Sequence, residues 1–392
     1  MSPRSRNVVA AAVALGTLVA IDLAIARVDV FGLLARESHP TTFFAGVNSH
    51  LIRAVRSLYA RPEGPRAVVL LGNSLFADAG GPAASLAAAL AARGAPAETP
   101  VLSLCVLATY PTDDEVLARQ LAPVRPGLVL IGLGVTDLGT SLERARAPIA
   151  QLLDTGFADG LVPPADGQQR LERWVRTVWR LYRYRTLLRE LVLWPGGPSI
   201  PAATLDRELR PDEFFAIFFG RERGAELVAL RAEYDRRPDF ATLRRYLELL
   251  RGPDYLAGVR SRWRDLRIDP LQVEALRLTS AHARAAGAQP VWVLLPENPA
   301  LGRDAEVGAL VRERSGEVAE RLAAEAGALG LPLLDLRRTL PESSFVDLNH
   351  VFFNSGAFLP VLADALADGG LLAPVAVPPA SSALVAGPRG LG

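Results

Sequence analysis

Apolar residues in this chain gather in short unbroken runs, separated by longer stretches where they recur every three or four positions. The run 68–71 (Val-Val-Leu-Leu) lies between Pro65 and Gly72 and shows no polar alternation, as expected for a strand buried on both faces. Further strands are expected at 101–106, 127–132 (Gly-Leu-Val-Leu-Ile-Gly), 290–295 and 331–336. Between them, helical periodicity predicts helices over 82–93, 116–121, 271–286 and 306–328. Strands alternating with helices of this length specify a parallel α/β sheet covered on both faces. Ligands of such sheets sit outside the carboxyl ends of the strands. Ser74 falls just after the first strand and Asp137 just after the third, where chemistry is expected.

The pattern changes at both ends and in the middle. Positions 8–26 are almost entirely Ala, Val, Leu and Ile, close to the ~20 residues that cross a bilayer. Arg4 and Arg6 precede this span, so the positive-inside rule puts the N-terminus in the cytoplasm and the rest outside. Asp22 sits near the outer end of the span, within reach of the interface. Without a small-residue cleavage site, an uncleaved anchor is favoured over a signal peptide. The expected organisation is an anchor (1–27), a juxtamembrane linker (28–64) with a short helix at 43–58, a body (65–368) and a disordered tail (369–392). The body carries a helical insertion at about 141–268, rich in Arg, Trp and Tyr and without a convincing strand. Within it, 171–194 reads as a helix with Trp174, Val178, Leu181 and Leu188 on one side and Arg173, Arg176, Arg180 and Arg183 recurring beside them. A surface helix with a solvated basic face is the plain reading; an interfacial helix on anionic lipid, or a groove wall, are the functional ones. Residues 197–212 read as a loop.

Composition narrows the chemistry. The net charge is +1, from 43 basic and 42 acidic residues, which gives no footprint for nucleic acid. Every basic residue is arginine, so a Schiff-base lysine and a P-loop lysine are both excluded. The lone Cys105 rules out an intrachain disulfide, and a structural zinc site is not expected. No metal or cofactor is expected.

Gly72-Asn73-Ser74-Leu75 and Asp347-Leu348-Asn349-His350 lie almost three hundred residues apart. They supply the parts of an activated nucleophile, since a serine hydroxyl needs an imidazole to take its proton and a carboxylate to orient that imidazole. Of the four histidines (His39, His50, His282 and His350), only His350 has a carboxylate three residues away. Taken singly, each motif has an ordinary reading: a serine after a strand is common, and an Asp-x-x-His pair often caps a helix.

Together the motifs resemble those of the SGNH, or GDSL, hydrolase superfamily. Gly72–Leu75 resembles its Gly-Asp-Ser-Leu block with Asn73 in the Asp position, and Asp347–His350 matches its Asp-x-x-His block. Gly134-Val135-Thr136-Asp137 resembles its Gly-x-Asn-Asp block with Thr136 in the Asn position. The resemblance covers roughly 65–140 and 270–368. It implies a flavodoxin-like three-layer sandwich with a five-stranded parallel sheet. It also implies Ser74 as nucleophile, His350 as base and Asp347 as its orienting acid. The oxyanion donors it implies are the N–H of Ser74, a backbone donor at Ala108 or Thr109, and the Thr136 hydroxyl. Asp137 is expected to tie loops together, and Asn73, Glu297 and Asn298 to contact substrate.

Anchored proteins of this type move acyl groups on envelope polymers, often beside a multi-spanning membrane acyltransferase. The resemblance therefore implies a single-pass protein of the bacterial inner membrane, with its body on the extracytoplasmic side. Its substrate would be an acylated glycan or another ester. Two readings stay open: a serine esterase or O-acyltransferase, and a catalytically weak glycan-binding or assembly component of a polysaccharide export machinery.

Overall fold

A computed structural model describes residues 3–25, 27, 57–58, 64–106, 109–139, 167–183, 207–352 and 355–373. The apolar runs form five strands: β1 (Ala67–Leu71), β2 (Val101–Ser103), β3 (Pro126–Leu133), β4 (Gln289–Leu294) and β5 (Leu333–Asp335). They build one sheet in the order β2-β1-β3-β4-β5, with every pairing parallel. Every residue of β1 and β3 is buried, as unbroken hydrophobicity requires. Successive residues of a strand enter two separate cores. Val69, Leu71, Val129 and Ile131 join one, and Val68, Leu70, Leu128 and Leu130 the other. The edge strands β2 and β5 are shorter than the 101–106 and 331–336 expected, yet their chains keep bonding inward. Leu104 N–H donates to Leu70 O at 2.8 Å, and Leu336 N–H to Leu294 O at 3.0 Å.

The first helix, α1 (Pro3–Ile25), is long and apolar enough over Ser5–Ile25 to cross a membrane, and none of that span is buried in the protein. Around the sheet follow α2 (Ser74–Gly80), α3 (Ala83–Ala91) and α4 (Pro111–Ala118). The helix expected at 116–121 thus begins earlier, at Pro111. Its first turn carries Asp113 and Asp114, which suit a helix N-terminus, but these and Glu115 are buried and so hid the amphipathic pattern.

The described part of the insertion is helical: α5 (Gly167–Val178), α6 (Arg180–Arg183), α7 (Pro211–Phe219), α8 (Arg221–Arg236), α9 (Phe240–Arg251) and α10 (Tyr255–Arg264). The expected 171–194 helix begins earlier and breaks at Trp179, and its continuation past 183 lies outside the described residues. The loop expected at 197–212 gives way to α7 at Pro211, a favourable first helical residue. The 43–58 helix lies outside the described residues except at 57–58, which are helical, and the tail is described only to 373. The body closes with α11 (Pro270–Ala285), α12 (Gly308–Leu329) and α13 (Leu359–Asp368).

The chain leaves β1, adds β2 on one side, then returns to add β3 on the other. A crevice therefore opens at the carboxyl ends of β1 and β3. There Gly72 has φ +148°, and a Cβ at that position would stand 2.9 Å from the carbonyl of Gly132. Only glycine lets the two strand ends approach so closely.

Candidate active site

Ser74 is the first residue of α2, directly beyond β1. Asn73 caps the helix, its Oδ1 accepting from Leu75 N–H at 3.0 Å. The Asn73 amide also donates to the buried Asp137, whose Oδ2 accepts from Gly134 N–H at 2.7 Å. Asp137 thereby ties the ends of β1 and β3 together, as expected. Burial pushes its carboxyl up to about 7 despite these hydrogen bonds.

Asp347-Leu348-Asn349-His350 forms a tight reversal closed by an antiparallel bridge between Phe345 and Val351. Asp347 Oδ1 accepts from the N–H groups of Asn349 and His350, both at 2.7 Å, so the carboxylate makes an Asx-type turn. The same turn folds the imidazole back onto its own acid: His350 Nδ1 lies 3.0 Å from Asp347 Oδ2 and 3.1 Å from Oδ1. The three-residue spacing is thus what one carboxylate needs to cap the turn and hold the ring. The other ring nitrogen, Nε2, is 3.3 Å from Ser74 Oγ. Serine, histidine and aspartate therefore stand in one line across 276 positions of sequence.

Asp347 has no exposed side-chain surface. Burial pushes its carboxyl up, but the His350 ring, the Arg251 guanidinium and the turn amides outweigh this and hold it well below the usual carboxylate range. His350 is raised above 6.5. Burial opposes its charge, but Asp347 and, further off, Asp78 outweigh both burial and the opposing Arg251. A hydroxyl in this setting has an acceptor for its proton, and the imidazolium formed has a fixed counter-charge.

No local pattern pointed to the residues that support the turn. Arg251, the last residue of α9, meets Asp347 Oδ2 through Nε at 2.9 Å and Nη2 at 2.7 Å. The buried Tyr246 hydroxyl donates to Val346 O at 2.6 Å. Arg231, buried on α8, donates to Glu342 O at 3.0 Å and also to Phe345 O. Asn349 Nδ2 donates to the Tyr255 hydroxyl at 3.1 Å.

The remaining expected site residues divide. Ser74 N–H and Thr109 N–H have no acceptor among the described residues. They remain open as donors, Ser74 because first-turn amides lack helical partners. The Thr109 hydroxyl is engaged with Val106 O at 2.9 Å and Gly72 O at 3.2 Å. Thr136 is half-buried, and its hydroxyl has no partner among the described residues. Ala108 lies outside them. The three expected substrate contacts all have partners within the protein. Asn73 is engaged as described above. Asn298 donates to Asp347 O at 2.8 Å and caps the following 3-10 turn by accepting from Ala300 N–H at 2.9 Å. Glu297 turns to α12, accepting from Ser315 Oγ at 2.7 Å. Its other oxygen, Oε1, is buried with no partner among the described residues, and burial raises this carboxyl despite Ser315 and the nearby Arg337.

No group of three or more His, Cys, Asp or Glu side chains among the described residues could hold a metal ion. Comparison with protein-family models and with curated proteins finds no match to this chain.

Proposed function

We propose that this protein is a membrane-anchored, exported serine esterase or O-acyltransferase of SGNH type, with a flavodoxin-like body, acting on acyl esters of cell-envelope polysaccharide. The observation that carries the reading is the Ser74–His350–Asp347 line, with contacts of 3.3 Å and 3.0 Å. Ser74 Oγ attacks the ester carbonyl while His350 Nε2 takes its proton. The donors assigned to the oxyanion are the Ser74 N–H, the Thr109 N–H and the Thr136 hydroxyl, and each such donor is worth roughly 3–4 kcal/mol in related chemistry. Collapse expels the alcohol, protonated by His350, and leaves an acyl ester on Ser74. Water or a sugar hydroxyl, deprotonated by His350, then takes the acyl group. Asp347 stays ionised and holds the ring throughout. The anchor reading is supported by α1, and by Arg4 and Arg6 ahead of its apolar run.

The test is labelling of the full-length, detergent-solubilised protein with a fluorophosphonate probe, beside Ser74→Ala and His350→Ala. Labelling of the parent alone supports an activated serine. A folded parent that does not label would sink the catalytic reading and favour the glycan-binding alternative, in which Thr136 in the Asn position of the motif leaves the oxyanion unsupported.

A further inference from the structure

The apolar side of α5 is uncovered by the described residues. Leu171, Trp174 and Val178, spaced by three and four residues, are 59%, 61% and 54% exposed and form one stripe along the helix. Trp179 follows, also exposed, stacked on Tyr182 with ring centroids 6.1 Å apart. In the sequence, arginine recurs at 170, 173, 176, 180 and 183. At about 100° per residue Arg170 falls about 40° beyond the edge of the stripe, while positions 173 and 176 fall on the opposite, polar face.

A second, independent contact locates this stripe. One residue after α5, α6 begins and packs on α1, where Leu181 N–H donates to Asp22 Oδ1 at 2.6 Å. Asp22 lies three residues before the end of α1 at Ile25, so the bond sits within about 5 Å of that end. The twelve residues of α5 extend about 18 Å, which keeps the whole stripe near the point where α1 leaves its apolar span.

We propose that α5 lies in the interfacial plane of the bilayer that α1 spans, its Leu171–Trp174–Val178 stripe among acyl chains and Arg170, at the edge of the stripe, on anionic phosphate headgroups. Continuity with the span and the cationic edge favour lipid over a second protein. Aromatic residues suit the same depth. The inference rests on reading α1 as a membrane helix and is independent of the catalytic reading.

The test uses full-length protein in phosphatidylcholine–phosphatidylglycerol nanodiscs. An environment-sensitive fluorophore is attached in turn to Leu15→Cys, Arg170→Cys, Leu171→Cys, Trp174→Cys and Val178→Cys. Native Cys105 is buried, and the unsubstituted protein measures its background. The expected result is blue-shifted emission, quenched by doxyl-labelled lipid, at 15, 171, 174 and 178, with much weaker quenching at 170, at headgroup depth. Quenching at 171, 174 and 178 is expected to fall when phosphatidylglycerol is omitted. If position 15 is quenched while the stripe behaves like 170, the proposal fails and the anchor stands. A stripe shielded from water but not quenched by lipid is covered by protein, which also overturns it. An unquenched position 15 removes the anchor and this proposal together.

Discussion

The sheet holds Ser74 through main chain, apolar burial and one buried carboxyl, Asp137, whereas the insertion holds Asp347 and His350 through several charged and hydroxyl side chains. β1 and β3 are buried at every residue, and Gly72 brings their ends together before α2 begins. The Asp347–His350 turn rests instead on Arg231, Tyr246, Arg251 and Tyr255, all from the insertion. The comparison teaches that the two halves of the line should fail differently. Apolar burial is insensitive to pH, whereas an ion pair beside a titrating imidazole is not.

The largest effect belongs to the line itself. Ser74→Ala and His350→Ala should each lower ester hydrolysis by on the order of 10^4–10^6-fold, with unchanged circular dichroism. A residual rate near that of the parent in either variant would remove the line from the chemistry.

Arg251→Ala should act on the turn alone. Breaking a buried ion pair costs about 3–5 kcal/mol, but Arg251 is 38% exposed, so a loss of about 1–2 kcal/mol is expected. Its sharper signature is in pH dependence. A raised His350 must lose its proton before it can act as base, so kcat/KM should rise with pH through a midpoint above 6.5. Arg251 opposes the charge on His350, so its removal should move that midpoint higher still, and Arg251→Lys should restore part of the shift. Stability obeys the same sign. The support that protonated His350 draws from Asp347 is present in full below about pH 6.5 and lost as pH rises through its higher folded value. A profile of kcat/KM against pH that superimposes on the parent's would show that Arg251 only fills space.

Tyr246→Phe leaves Val346 O without its buried donor and should cost about 1–3 kcal/mol in chemical denaturation. Its kcat/KM should fall with little change in the pH midpoint, because no charge is removed. Arg244→Ala, on the same helix as Arg251, should be the smallest perturbation. Its pair with Glu248 is 2.7 Å long, but Arg244 is 64% exposed, so solvent screening leaves a negligible loss of stability and no shift in the pH profile. A shift in that profile would mean that any change of charge on α9 moves the profile, and the contrast with Arg251 would be lost.

The central strands were legible because they are buried on both sides. Expected bounds of 68–71, 127–132 and 290–295 became Ala67–Leu71, Pro126–Leu133 and Gln289–Leu294. α11 and α12 were legible too, each having one apolar face and one polar face. α4 was not, because three buried carboxylates broke the rule that buried positions are apolar. Asn73, Glu297 and Asn298 were placed correctly at strand ends, but their side chains serve caps, loops and α12.

The sequence by itself determined the sheet, the apolar helix at its head, and the two motifs that meet at Ser74 and His350, because periodicity and short spacings are local records of burial and turn geometry. Only the tertiary structure decided which of the many arginines faces Asp347, that Tyr246 and Arg231 hold the turn, and that Asp22 meets Leu181. Arg251 lies 96 positions from Asp347, and Asp22 lies 159 from Leu181. Over such separations a partner is chosen by how helices pack, and no local pattern records that choice.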